Sequence, residues 1–545
     1  MIFAFCKSAL SSVCIDFLLA LRYNQTMNSP NSYINKQKGA IIIMKKTLSL
    51  ILCMCMLAAA FAGCSEKSND NENGDSTENN ATTVQSGAEA ETVPEETEDE
   101  NAGRVSANIP EGTDYEGMKF TVFTYPAGSD IWSDVDWSAE EYTGEGLNDA
   151  VYDRITQVED LLNIDIVTAY GTSRDDINSI INSVKAQDGA YQLATSKIVG
   201  VITLASNKYV QELNSFAANG TLDLGAEWWD QNILKDFSIA HKNFALTGDI
   251  GTMYKKSIAC LMFNKNLLAE HNLEDPYALM RDGKWTIDKA VELGTQVSAD
   301  LDGNGVRDEN DQYGLICFSN MLGSAVLGAD VKFMDQDENG IPVDVFYSEK
   351  TVSVVEKLAT LMFDPNITYS WSRNNKDETV AFSMYKSDKA LLYYGEMHAV
   401  ATMRDMESEF GILPMPKYDE AQESYHHAVN QDVAATYVIP ADNIAYESTG
   451  YIVDALGAAS KNYLTPAYFE KMLKGKVSRD AESQESLEII FDTIRYDIGL
   501  VGDFGYSTML KGMANSGNTD LASNFARSSK SIIKLSEKAI NKIVG

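Results

Sequence analysis

From Met118 onward, short apolar runs alternate with longer stretches in which apolar residues recur every three or four positions. MKFTVFT (118–124) has the composition of a buried strand, and Asn148–Leu162 the spacing of an amphipathic helix. A strand at Ile164–Val167, a helix at Asp175–Ala186 and a strand at Tyr191–Ala194 continue the alternation. Further along, the pattern predicts a strand at Lys255–Phe263, a helix start at Asn264–His271, and a helix at Lys284–Val297 capped by Thr286. Helices at Val352–Met362 and Glu378–Lys386 follow, then strands at Ala390–Tyr394, Phe410–Leu413 and Val433–Ile439. The chain from Ala445 reads as mostly helical. Strands alternating with helices of this length predict an α/β protein with largely parallel sheets. The last 435 or so residues exceed what one core usually supports, so two lobes are expected.

The head of the chain follows a different pattern. Lys45 and Lys46 precede an apolar run, Leu48–Ala60, too short to span a membrane and remain there. Ala62-Gly63-Cys64 closes it, so Met44–Cys64 resembles a bacterial lipoprotein signal, although Phe61 stands where Leu is usual. The resemblance implies cleavage before Cys64 and lipidation of its thiol, a membrane anchor. Met44 then reads as the start, and residues 1–43 as an upstream extension. Ser65–Ser106 carries twelve Asp/Glu against Lys67 and Arg104 with almost no large apolar residues, the composition of a disordered tether.

Charge narrows the partners. Residues 1–64 hold six Lys/Arg and one Asp, a net +5, so their removal takes the formal charge from −35 to −40. Such a chain repels nucleic acid and anionic lipid, and no basic patch is evident to offset it. Beyond Cys64 only Cys260 and Cys317 remain, each inside an apolar run, which predicts buried thiols and no disulfide framework. No nucleophile motif, zinc spacing or phosphate loop occurs in a supporting context, so nothing marks an enzyme. The pair His426-His427 sits in a polar stretch and reads as a solvated loop.

Several segments together resemble the extracellular solute-binding proteins of ABC importers, of the carbohydrate-type, maltose-binding-protein-like family. They include GEGLNDAVYDRITQVEDLLNI, WWDQNIL, FALTGDIG, LMFNKNLLAEHNLEDPYAL, GKWTIDKAVELG, FGILPMPKYDEAQESYHH and ATYVIPADN. The resemblance implies a periplasmic-binding-protein-like fold, two lobes with an interlobe cleft and crossing hinge strands. It places crossings near Ser257–Phe263, Val433–Ile439 and Ile498–Gly505. The domains expected are 1–43 extension, 44–63 signal, 64–110 tether, 111–256 and 433–500 first lobe, 257–432 and 501–545 second lobe. It also implies a monomer on the outer face of the cell membrane that delivers an oligosaccharide to an ABC permease. An exported carbohydrate-active enzyme, or a sensor or adhesin without a transporter, are the alternatives.

A binding cleft needs aromatic faces for sugar rings and polar groups for hydroxyls, placed after strand ends. Tyr125 and Trp132 follow the first strand, Asp249 and Tyr254 precede the first crossing, and Tyr394 and Glu396 end a later strand. These six are the candidate ligand residues, while Trp228, Trp229 and Trp285 read as packing residues. A separate twelve-residue stretch offers oxygen donors at Asp300, Asp302, Asn304, the Val306 carbonyl, Asp308 and Asp311, with Gly305 at the sharp turn. That is the spacing of a calcium loop, with Asp311 in place of the usual Glu. Structural calcium is therefore expected, and Asp335–Gly340 is read as a hairpin turn.

Overall fold

The computed structural model describes residues 103–545 apart from 129–130, 134, 319–320, 375–376 and 474–479, and residues 97–545 form one compact unit. The signal, Cys64 and nearly all of the expected tether lie outside the described residues. The tether's end does not behave as one. Val105, Ala107 and Ile109 pack against the first lobe's core, and Val105 N–H donates to Asn462 Oδ1 at 2.9 Å.

The chain begins in a βαβ unit. Strand β1 (Met118–Thr124), helix α1 (Gly146–Leu162), strand β2 (Ile164–Tyr170), helix α2 (Ile177–Ala186), strand β3 (Leu193–Lys197) and helix α3 (Ile198–Ser206) follow in order. Strand β1 pairs in parallel with both β2 and β3. The segment then enters a second sheet at β4 (Ala259–Asn264), followed by helix α4 (Ile287–Val297), strand β5 (Tyr313–Cys317) and helix α5 (Met321–Gly328). A hairpin of β6 (Met334–Gln336) and β7 (Pro342–Asp344) matches the turn expected at Asp335–Gly340. Helix α6 (Glu349–Phe363), strands β8 (Thr368–Ser370) and β9 (Ala390–Glu396), helix α7 (Met397–Thr402), strand β10 (Phe410–Leu413) and the short β11 (His427–Ala428) complete this passage. Strand β12 (Ala435–Val438) returns to the first sheet, with helices α8 (Tyr446–Asn462) and α9 (Leu464–Leu473). Last come α10 (Ala481–Asp492), β13 (Ile494–Arg495), α11 (Ile498–Val501), α12 (Tyr506–Ser516) and α13 (Leu521–Val544).

Two sheets therefore carry the molecule, ordered β12-β3-β1-β2 and β10-β4-β9-β5-β8. In each, one antiparallel strand enters from the other lobe, β12 beside β3 in the first sheet and β4 between β10 and β9 in the second. Two crossing segments touch directly. Ile258 and Val429 form an antiparallel bridge, and Asn430 N–H donates to Ser257 O at 2.9 Å. The third passage lies earlier than the predicted Ile498–Gly505. Ile412 N–H of β10 donates to Ser483 Oγ of α10, and Lys265 pairs with Asp480, so the chain is back on the second sheet by Asp480.

Local chemistry explains the elements. Thr286 caps α4 as predicted, its hydroxyl accepting Lys289 N–H at 3.3 Å. Trp228, Trp229 and Trp285 are buried, as are the free thiols of Cys260 and Cys317. Helix α4 lies directly on β5 because glycine faces glycine there. A Cβ added at Gly314 would stand 2.4 Å from Gly294 Cα. Gly314→Ala should therefore force helix and strand apart and cost about 2–4 kcal/mol, read as a lowered urea midpoint. A change below about 0.5 kcal/mol would show that the close approach does not constrain the packing.

Candidate functional site

The carboxyl ends of the parallel strands of both sheets converge on one gap. On the first lobe, β1 leads into Tyr125 and a loop bearing Trp132. On the second, β9 ends at Glu396 and runs into His398. The rings of Trp132 and His398 meet edge-on across the gap with centroids 4.9 Å apart. Behind Trp132 sit Tyr125, Met253 and Ala435. The Arg174 guanidinium, from the loop after β2, approaches the indole to 5.9 Å.

The loop that presents Trp132 is firmly tied. Asp136 accepts Thr252 N–H and Oγ1–H, both at 2.7 Å. The fully buried Arg154 of α1 donates to Ile250 O at 3.0 Å and to Asp136 O, and its guanidinium lies 4.4 Å from the Trp137 ring.

The opposite wall is acidic and aromatic. Glu396 Oε1 accepts Asn430 Nδ2–H at 2.6 Å, and its Oε2 lies 3.5 Å from His398 Nδ1. Glu378 approaches His398 Nε2 at 3.7 Å. Burial alone would depress this imidazole, but the adjacent carboxylates of Glu378 and Glu396 outweigh it and lift the pKa to about 9. Next along the sheet, Phe318 follows β5 and Trp371 follows β8. Their rings stack at 4.2 Å with planes 8° apart, both partly exposed. The parallel pairing of β5 with β9 and of β8 with β5 sets Phe318 and Trp371 at the same end of the sheet as Glu396.

Of the six residues proposed from sequence, Tyr125, Trp132 and Glu396 are gathered at this gap, with Tyr125 turned into the core. The other three are not. Tyr394 is buried and its hydroxyl donates to Met321 O at 2.9 Å. Tyr254 and Asp249 enter a buried polar knot beneath the first crossing. Asp249 Oδ1 accepts Thr465 Oγ1–H at 2.7 Å and lies 3.7 Å from Lys255 Nζ. Burial raises the Tyr254 phenol well above its usual range and lowers the Lys255 amine. His426 and His427 do not form a solvated loop. His427 is fully buried in β11, accepts Met415 N–H at Nε2 over 3.0 Å, and is driven down to about 3 by burial.

The sequence reading missed Phe318, Trp371, His398 and Asn430. The first two had a usable signal, an aromatic immediately after a run of strand residues. His398 and Asn430 had none, since the Trp132 ring that meets His398 and the Glu396 carboxylate that holds Asn430 lie far from them in the chain.

A separate cavity of about 140 Å³, lined by residues including Lys235, Asp330, His426, Arg495 and Asp497, lies between the β6–β7 hairpin and β13 and shares no residue with the gap. The predicted calcium loop is folded as a tight turn. Candidate ligand oxygens of Asp300, Asp302 and Asp311 all lie within 4.8 Å of one another, Asp311 buried and the others exposed. Asp300 accepts N–H bonds from Gly303 and Gly305, both at positive φ, and Asn304 Oδ1 accepts Val306 N–H. Asp308 is not part of the three-carboxylate group.

No protein-family model matches the chain, and no curated protein matches it. Solved structures do. A cyclo/maltodextrin-binding protein complexed with maltotetraose aligns at 12% identity over 79% of this chain and 98% of that one, TM-score 0.50. A cyclic alpha-maltosyl-1,6-maltose binding protein from Arthrobacter globiformis aligns at 14% identity over 79% and 100%, TM-score 0.50. UspC of M. tuberculosis aligns at 11% identity over 76% and 100%, TM-score 0.50. The likeness establishes the two-lobed solute-binding-protein fold.

Proposed function

We propose that this protein is an extracellular receptor that binds an oligosaccharide between its lobes and passes it to an ABC permease. The observation that carries the reading is the gap itself. Trp132 meets His398 across it, with Glu396 beside the imidazole, and the Phe318–Trp371 stack lies at the same end of the second sheet. Flat aromatic faces suit the C–H face of a sugar ring, and carboxylate and amide groups suit its hydroxyls. The two solved structures named for maltodextrins and a cyclic maltosyl-maltose support this ligand class. Ligand would close the lobes by bending at the bridged segments around Ile258 and Val429. The reading needs no covalent step. Lipid anchoring through Cys64 is part of the proposal; no helix among the described residues is long and apolar enough to cross a membrane. Calcium belongs to it too. Asp300, Asp302 and Asp311, with Asn304 and the Val306 carbonyl, would hold the ion and pin the loop ahead of β5, a structural role.

Thermal unfolding of residues 65–545 against a panel of glycans and peptides, with calcium or with chelator, tests both parts. A ligand at a hundred times its dissociation constant should add about 2.7 kcal/mol. Stabilisation by a glycan recovered unchanged supports the receptor; cleavage of the glycan would replace it with an enzyme. Calcium should raise the midpoint of the wild-type chain and not that of Asp300→Asn.

A further inference from the structure

The C-terminal helix α13 carries a ridge of positive charge on an otherwise acidic molecule. Arg527, Lys530, Lys534, Lys538 and Lys542 recur every three or four residues, all exposed. At 1.5 Å per residue they span about 22 Å. The opposite face of the helix is buried through Leu521, Ile532, Ile540 and Ile543, so the cations lie on the outward side. Lys208, exposed beside Asn207, extends the ridge past Lys542, whose Nζ donates to Asn207 Oδ1 at 3.0 Å. This is a basic patch where composition suggested none.

What distinguishes these cations is that none of them forms a salt bridge among the described residues, Arg527 feeling only the N-cap carboxylate of Asp520 from a distance. Elsewhere in the second lobe, Lys289, Lys332, Lys350, Lys357 and Lys386 each sit on a carboxylate at 2.5–2.9 Å. Among the described residues, no cation of α13 does, and Glu537 is the helix's only acid. Exposed Ile533, Leu535 and Val544 flank the ridge. A row of unneutralised cations edged with apolar side chains fits an anionic headgroup layer, where charges attract phosphates and the flanks enter the interface. The −35 net charge does not forbid this, because charges farther than about 8 Å are screened at physiological salt. The chain's own acidic segment is the poorer fit. It joins the body where Arg104 stacks on Tyr463 at the end of α8, whereas α13 lies on α3 and the second lobe.

We propose that the outer face of α13 docks onto anionic phospholipid headgroups and so sets how the tethered molecule lies on its membrane. The orienting role rests on the anchoring reading above; the binding itself does not. The test is co-sedimentation of residues 65–545, which lack both the apolar run and the lipidated thiol, with vesicles of phosphatidylglycerol and phosphatidylcholine, or of phosphatidylcholine alone. Binding should require the anionic lipid and disappear at about 0.5 M salt. Each basic residue near an anionic leaflet is worth roughly fivefold in partitioning. The combined variant Arg527→Gln, Lys530→Gln, Lys534→Gln and Lys538→Gln should therefore lose on the order of several hundredfold, with an unchanged melting temperature. Equal binding to neutral vesicles, no binding at low salt, or full binding by the variant would each overturn the proposal. A failed glycan screen leaves this result intact, and an unacylated Cys64 in native membranes would remove the orienting role alone.

Discussion

Arg154→Ala should lower the unfolding free energy by about 3–5 kcal/mol, the largest loss expected from a single change in this protein. Arg154 has no exposed surface, and its guanidinium serves Ile250 O, Ser460 Oγ and Asp136 O while lying over Trp137. Truncation leaves buried carbonyls without donors and opens a hole under the indole, and both costs add. Lysine should recover little, because one ammonium cannot reproduce a planar fork or its contact with the ring. The effect should reach the gap as well. Asp136 and Trp137 end the loop that presents Trp132, so a surviving variant should bind ligand more weakly. Urea unfolding of wild type, Arg154→Ala and Arg154→Lys gives the measurement. A loss under about 1 kcal/mol would mean that water or a rearranged loop replaces the guanidinium.

His398 should make the stability of the protein depend on pH in the alkaline range. Its pKa is raised from 6.5 to about 9, so the imidazolium is favoured in the folded state. A raised folded value means the contribution is complete below about 6.5 and is lost as pH climbs through 9. Its size is on the order of 1–3 kcal/mol. The groups that face the ring are the carboxylates of Glu378 and Glu396 on its own lobe and the Trp132 indole across the gap. His398→Gln should therefore be less stable than wild type at pH 6, and the two should converge near pH 10. Parallel curves over that range would show that His398 does not titrate there. Trp132→Ala removes the other half of the contact and an aromatic face, and should weaken glycan binding about tenfold.

The elements that the sequence displayed clearly are those built from local rules. The Thr286 cap, the helices with one apolar stripe and the fully apolar strands depend on neighbours within a few residues. The gap was only partly legible. Trp132 and Glu396 follow strand ends and could be read as cleft residues, as could Phe318 and Trp371 had the same rule been applied to them. Tyr254 and Asp249, chosen because they stand just before the first crossing, turn inward, since Lys255 is buried and draws oxygen atoms around its ammonium. His427 looked solvated because its partners, Met415 N–H and Thr493 Oγ1, come from other elements. The α13 ridge was invisible for another reason. Its cations are diluted in a strongly acidic composition, and only the helix surface shows that they share one side without acids.

The pairing of β12 with β3 governs when this chain can fold. The Thr436 hydroxyl donates to Ser196 O across 240 residues of sequence, and α13 lays the very end of the chain on α3 of the first lobe. The first sheet must wait for β12 at Ala435–Val438, and the cover that α13 gives to α3 and the second lobe comes only with the end of the chain. Contacts so distant in sequence are slow to form, since loop closure must precede any gain from packing. Partial chains should therefore remain open and sensitive to protease, with the cooperative structure arriving last. On the proposed reading, in which the chain is exported through a narrow channel, that delay is an advantage: the same topology that closes the finished fold keeps the nascent chain threadable.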